Sequence, residues 1–184
     1  MLRVLTLATL FPTGLRPTLG AFVERQTIAL AAQPEVEVQV VAPVGLPVWP
    51  LSRHPHYAPL ATLPEREERN GLIVHRPRYR VWPRIGNART ARAIADALVP
   101  LLRDIRTRFP FDVIDAEFFW PDGPAAMHLA EALGVPFSIK ARGADIHHWG
   151  RQPGIGDQIL AAGRAARGLL AVSAAMKADM VALG

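Results

Sequence analysis

The chain has 184 residues, half of them hydrophobic and a fifth charged, with a formal net charge of +5 and no cysteine. That composition excludes a disordered segment, and it gives enough apolar side chain for one ordinary core without disulfides. The missing cysteines exclude a thiolate zinc site and a cysteine nucleophile, and the basic residues, arginines apart from Lys140 and Lys177, suit anionic partners: nucleotide-sugars, phospholipid surfaces or nucleic acid.

Leu2–Ala8 is aliphatic and reads as a buried first strand. The apolar start is short and is broken at Phe11-Pro12-Thr13-Gly14, so a strand is expected there and not a signal peptide. No stretch reaches the ~18 apolar residues of a membrane span, and a cytoplasmic protein is expected. After a loop over Thr9–Leu19, Gly20 opens a helix over Ala21–Ala32, with Phe22, Val23, Thr27, Leu30 and Ala31 at helical spacing. Glu35–Ala42 alternates charged residues with valine as a second strand, stopped by Pro43. Residues 43–70 are proline-rich, carry Trp49, His54, His56 and Tyr57, and read as an irregular excursion. Asn70-Gly71 is a turn signal before a short strand over Leu72–His75. An aromatic and basic loop over Pro77–Gly86 follows, then a helix over Asn87–Arg108 that Pro100 should end or kink.

The second half is more regular. Val113–Ala116, Val135–Lys140 and Gly168–Val172 read as strands. Pro121–Leu133 is a helix with Asp122 in its first turn and Gly134 after its end. Gly154–Arg164 is a second helix, and Ser173 caps a last one that runs into Gly184. Strands alternating with helices predict an α/β fold, a Rossmann-like, doubly wound, mostly parallel sheet in the order 3-2-1-4-5-6. In that order the loops after strands one and four face each other across the topological switch point, where ligands bind. The candidate loops are therefore Thr9–Gly20, Glu117–Gly123 and Ala141–Gly150. The pattern stops on a helix with no closing element, so a further domain is expected beyond it.

The first loop has neither a dinucleotide fingerprint nor a Walker phosphate loop. Gly20 nonetheless stands where loop becomes helix, so backbone could approach a ligand and free N–H groups could hold an anion; the plain alternative is a helix-start glycine with no ligand. In the second loop, Asp115, Glu117 and Asp122 flank three consecutive aromatics, Phe118 to Trp120. Carboxylates accept sugar hydroxyls and aromatic faces pack on pyranose rings, although Phe118 and Phe119 could equally be core and Asp122 a helix cap. In the third loop, Arg142 and Asp145 lie three residues apart around Gly143. Arg142 could neutralise a phosphate or a leaving group, and Asp145 could hold an acceptor hydroxyl; the alternative is a local ion pair. No metal is expected from Asp115-x-Glu117 or from His147 and His148, whose adjacent side chains should diverge. Ser173 lacks the glycines of a nucleophile elbow. The arginines at 76, 78, 80 and 84 come with aromatics but no nucleic-acid module, so no nucleic-acid partner is expected. Side chains around Tyr79 and Trp82 are expected to border an acceptor or a membrane surface.

Phe11-Pro12 followed by Gly20-Ala21-Phe22-Val23-Glu24-Arg25-Gln26, Phe111 to Ala116 followed by Pro121-Asp122-Gly123, and Gly134-Val135-Pro136-Phe137 followed by Arg142-Gly143-Ala144-Asp145-Ile146 resemble, in order and spacing, the amino-terminal domain of glycosyltransferase family four, of the GT-B fold. The resemblance covers nearly the whole chain. It implies an acceptor-side domain over residues 1–184 and retaining transfer of a sugar from a nucleotide-sugar to a hydroxyl on a sugar or lipid-linked acceptor. No cofactor or metal is implied, and a carboxy-terminal domain would hold the donor. It places Gly20 near the donor diphosphate, Arg142 near the reacting centre in an electrostatic role, and Asp145, Glu117, Asp122, Phe22 and Glu24 around acceptor or sugar. An arginine where many members have histidine is familiar in a branch making cell-envelope or exported polysaccharides. Asp115 departs from a common histidine. Another GT-B enzyme, such as a nucleotide-sugar epimerase, and a non-catalytic Rossmann-like binding domain are the alternatives.

Overall fold

The structure, a computed structural model, describes residues 1–82 and 87–184. Its strands are β1 (Leu2–Leu7), β2 (Val36–Val41), β3 (Val44–Pro47), β4 (Arg66–Arg69), β5 (Leu72–His75), β6 (Arg78–Val81), β7 (Val113–Ala116), β8 (Phe137–Ala141) and β9 (Gly168–Ala171). Its α-helices are α1 (Ala21–Ala31), α2 (Thr90–Arg108), α3 (Asp122–Leu133), the short α4 (Ala144–His147), α5 (Gly156–Ala165) and α6 (Ala174–Leu183). Arg84 and the end of the loop expected over 77–86 lie outside the described residues.

The main sheet runs β4-β5-β2-β1-β7-β8-β9. Apart from β4, every pairing is parallel, and the six strands read from the sequence stand in the expected order. The switch point therefore falls between β1 and β7, whose registers pair Thr6 with Asp115 and Leu7 with Ala116. Apolar side chains on one side of the sheet pack with α2, α3 and α5, and a smaller cluster with Val23 and Phe11 lies on the side of α1.

Three strands went unread. β4 pairs antiparallel with β5 through Asn70 and Gly71, both at positive φ (49° and 79°), as a two-residue hairpin requires. Its sequence, Arg-Glu-Glu-Arg, has no apolar face because it forms a sheet edge. β3 and β6 form a separate two-stranded parallel ladder, so the excursion over 43–70 is partly ordered. Helix α2 also runs on through Pro100, against expectation. Pro100 is exposed, whereas Ile94, Leu98, Leu102 and Ile105 are buried on the opposite stripe. Burial at about 1.5–3 kcal/mol per large side chain outweighs the ~3 kcal/mol of an interior proline. The local stop signals held: Gly134 closes α3 at φ 64°, and Ser173 Oγ accepts the Met176 N–H at 3.1 Å.

Candidate functional site

At the carboxyl ends of β7 and β8 four charged side chains form one network, with Asp115, Glu117 and Lys140 buried and Arg142 partly buried. Lys140 donates to Asp115 and to Glu117, and Arg142 donates to the other oxygen of Glu117. Asp115 also accepts the Ser138 hydroxyl at 2.8 Å. Arg142 Nε reaches the Glu117 carbonyl at 3.2 Å, its Nη2 reaches Gln26 Oε1 at 2.6 Å, and its guanidinium carbon lies 5.2 Å from the centre of the Phe22 ring. Two carboxylates and two cations balance, so no unpaired charge is buried. The second and third loops meet through Glu117 and Arg142, and the helix that follows the first loop, not the loop itself, supplies Phe22 and Gln26; the first loop meets the second where Thr9 donates to Asp122. Phe22 is half exposed and packs edge-on against Phe118, at 6.2 Å between ring centres. Gln26 was not read as a site residue, although it lies one turn beyond Phe22 on the same helix face.

Other assignments give way to internal roles. Asp145 is 3% exposed and accepts backbone N–H groups from Phe119 (2.8 Å), Arg142 (3.1 Å) and Gly143 (2.7 Å). Buried and already holding three N–H donors, its oxygens are not presented to the acceptor hydroxyl expected there. The carboxylate instead ties the β8 loop to the β7 loop. Asp122 is fully buried and accepts the Thr9 N–H, which lies 3.2 and 3.3 Å from its two oxygens, so it joins the β1 loop to the start of α3 and offers nothing to a sugar. Burial pushes its carboxyl up to about 8; the Thr9 hydrogen bonds oppose this, and Glu117 and Asp145 add to it. Glu24 is buried against Arg69 (2.5 Å) and Asn70 (3.1 Å), about 200° around α1 from Phe22. It fastens the β4–β5 hairpin instead of facing the site. Phe118, Phe119 and Trp120 are core, not a sugar platform.

Gly20 is explained by the loop itself. Its φ is 73°, and a Cβ there would lie 2.3 Å from the Leu10 carbonyl oxygen. The N–H groups of Ala21, Val23 and Glu24 are taken by the carbonyls of Thr18 and Gly20. The two histidines part company as expected: His147 pairs with Asp179 at 2.9 Å, and His148 packs on Trp149. Among the described residues no group of three or more potential ligands is placed to hold a metal ion.

A cleft of about 370 Å³ opens between the β1 loop, β3 and β6, and no residue of the network lines it. Tyr79 and Trp82 line it, where the sequence placed an acceptor or membrane border, and Thr9 links it to Asp122 below. Burial pushes the Tyr79 hydroxyl up to about 12, with Asp122 adding, so it stays protonated. Gly45 makes room for that wall, since a Cβ would come within 3.0 Å of Tyr79 and 2.6 Å of Val81. Arg16, His56 and Tyr57 also line the cleft and were not singled out as site residues.

No family model matches the chain. The TuaC protein of Bacillus subtilis (strain 168), named as a glycosyltransferase of teichuronic acid biosynthesis, is 29% identical over 158 residues, which is 79% of this chain and 37% of that protein. The sucrose-phosphate synthase of Thermosynechococcus elongatus superposes with a TM-score of 0.63 at 12% identity, covering 99% of this chain and 45% of that one. This chain has the fold of a GT-B Rossmann-like half. The same GT-B half superposes on the UDP-GlcNAc 2-epimerase of Methanocaldococcus jannaschii (TM-score 0.57, 10% identity, 99% and 42% covered). The enzyme of that name from Neisseria meningitidis, bound to UDP-GlcNAc, gives 0.52 at 13% identity, with 98% and 43% covered. The chain thus spans less than half the length of each of these relatives. Among the described residues no helix of this GT-B half is long and apolar enough to cross a membrane.

Proposed function

We propose that this GT-B half is the acceptor-side domain of a retaining glycosyltransferase. It would move a sugar from a nucleotide-sugar to a hydroxyl acceptor in cell-envelope or exopolysaccharide synthesis, with a second Rossmann-like domain holding most of the donor. The observation that carries the reading is Arg142. Phe22, Gln26 and Glu117 fix its guanidinium at the switch-point end of the sheet, while the cleft between the β1 loop, β3 and β6 leaves room for an acceptor. An arginine stays protonated and cannot be a general base, so its role is electrostatic, toward the donor diphosphate or the departing oxygen. Glu117, Lys140 and Asp115 act through Arg142 by holding it. The likeness to TuaC supports the transferase class and the polysaccharide setting.

The epimerase neighbours favour a second reading, in which the cleft would contain the acids that move a proton on the donor sugar. Against it, Asp115, Glu117, Asp122 and Asp145 are all buried and engaged. The deciding experiment incubates the full-length protein with a panel of nucleotide-sugars, with and without acceptors, and follows the anomeric configuration of the product by NMR. Acceptor-dependent transfer with retention is expected, and Arg142→Ala should lower turnover at least ~100-fold. Epimerised nucleotide-sugar without transfer would select the rival, and wild-type turnover in the variant would remove Arg142 from the site.

A peripheral membrane contact belongs to the same reading. Arg80 and Trp82 are exposed for it, whereas Arg78 turns inward and donates to the carbonyls of Leu63 and Arg76. Unchanged binding of anionic vesicles after Arg80→Glu would remove it.

A further inference from the structure

We infer that the acceptor in this cleft carries an anionic group, a carboxylate or a phosphate, and that Arg16 with His56 forms its subsite. The inference rests on the acceptor-side reading above. Among the described residues no aspartate or glutamate lines the cleft, while Arg16, His56 and Arg76 do. A neutral sugar is ordinarily gripped through its hydroxyl hydrogens by carboxylate acceptors, and this wall has none.

The cations differ in what they already hold. Arg76 is 1% exposed and neutralised: its Nε donates to Glu67 at 2.8 Å, and its Nη2 donates to Glu67 and to the Pro12 carbonyl, at 2.5 and 2.6 Å. Arg16 has no carboxylate partner among the described residues. Its Nη2 lies 3.4 and 3.5 Å from the two nitrogens of the His56 ring, contacts too long and too divided to satisfy a guanidinium. The rim of the cleft therefore carries a positive charge that nothing on its walls balances. A guanidinium fork matches a carboxylate or phosphate edge with two parallel N–H bonds, and an imidazole N–H beside it adds a third donor.

The remaining lining suits the rest of such a molecule. Leu10, Leu60 and Leu63 give an apolar floor, and Tyr57, Tyr79 and Trp82 give faces for a sugar ring or an isoprenoid. At about 370 Å³ the cleft has room for one or two small units. Arg16 comes from the β1 loop and His56 from the excursion before β4, so the anion would bridge two segments 40 residues apart.

The test is calorimetric binding to the full-length protein of two matched pairs. Methyl glucuronide against methyl glucoside probes a uronate, and farnesyl phosphate against farnesol probes a lipid phosphate. In at least one pair the anion should bind ~10-fold tighter or more, the size a charge-assisted hydrogen bond supplies, and the pair that responds names the source. Arg16→Gln, with an unchanged thermal midpoint, should bring the two members within about twofold, while Arg16→Lys should keep part of the preference. Equal binding within both pairs, no binding of either pair, or a preference that survives Arg16→Gln would overturn the inference. Because the readout is binding, the two readings fail separately. Sugar transfer without anion preference removes only the subsite, and anion preference without transfer removes only the transferase.

Discussion

Replacing Lys140 with methionine should be among the most damaging single changes in this chain. The ammonium is 7% exposed and sits between Asp115 (8%) and Glu117 (1%), donating to both. Methionine keeps the length and apolar character of the stem, so little packing is lost. What is lost is the cation. Arg142 still faces Glu117 and the Ser138 hydroxyl still faces Asp115, but the group becomes two carboxylates against one guanidinium in a site closed to water. Removing one partner of a buried pair costs about 3–5 kcal/mol, a large part of the roughly 5–15 kcal/mol by which a domain is stable. The uncompensated carboxylate can relieve this by binding a proton, at about 1.4 kcal/mol per pKa unit. The deficit should therefore shrink as the pH falls toward the carboxylate range. Asp115→Asn in the same chain removes the surplus charge and should recover most of the loss. The assay is urea unfolding of wild type, single and double variants at pH 7 and pH 5, with m-values compared. A loss under ~1 kcal/mol at pH 7, or a double variant no more stable than the single, would refute the network as described.

Two further predictions concern the residues that hold the site together. The folded carboxyl of Asp122 titrates near 8, above its ordinary value of 3.8, so the folded state binds the extra proton between those values. Its contribution to stability is fully present below pH 4 and declines as the pH rises through 8. Asp122→Asn keeps an acceptor for Thr9 and should flatten that decline, and equal pH slopes for wild type and variant in thermal melts would contradict the assignment. Gly20→Ala should destabilise by more than ~2 kcal/mol, because it adds a left-handed strain of roughly 1–2 kcal/mol to a clash with the Leu10 backbone. A smaller loss in urea unfolding would mean that the β1 loop moves aside freely.

The order of the six main strands was legible in the chain, because alternation of apolar strand and helix leaves few ways to close a parallel sheet. Gly134 and Ser173 were legible for the same local reason, since a helix end is decided by the residues within one turn of it. So was the meeting of neighbouring loops, the first with the second at Thr9 and Asp122 and the second with the third at Glu117 and Arg142, which follows from strand order. The partners were not. Arg142 meets Gln26 across 116 residues and Glu117 across 25, Glu24 meets Arg69 across 45, and Arg16 meets His56 across 40. Which carboxylate faces a ligand and which one fastens a loop depends on where the whole sheet and its helices place each oxygen. A sequence pattern carries the period of an element but not the direction from which a distant donor arrives. Asp122, Asp145 and Glu24, chemically suited to sugars, were thus turned inward by packing. The short strands β3, β4 and β6 also needed neighbours, since a four-residue strand with polar or proline-containing sequence pairs only when the rest of the fold holds a partner alongside it.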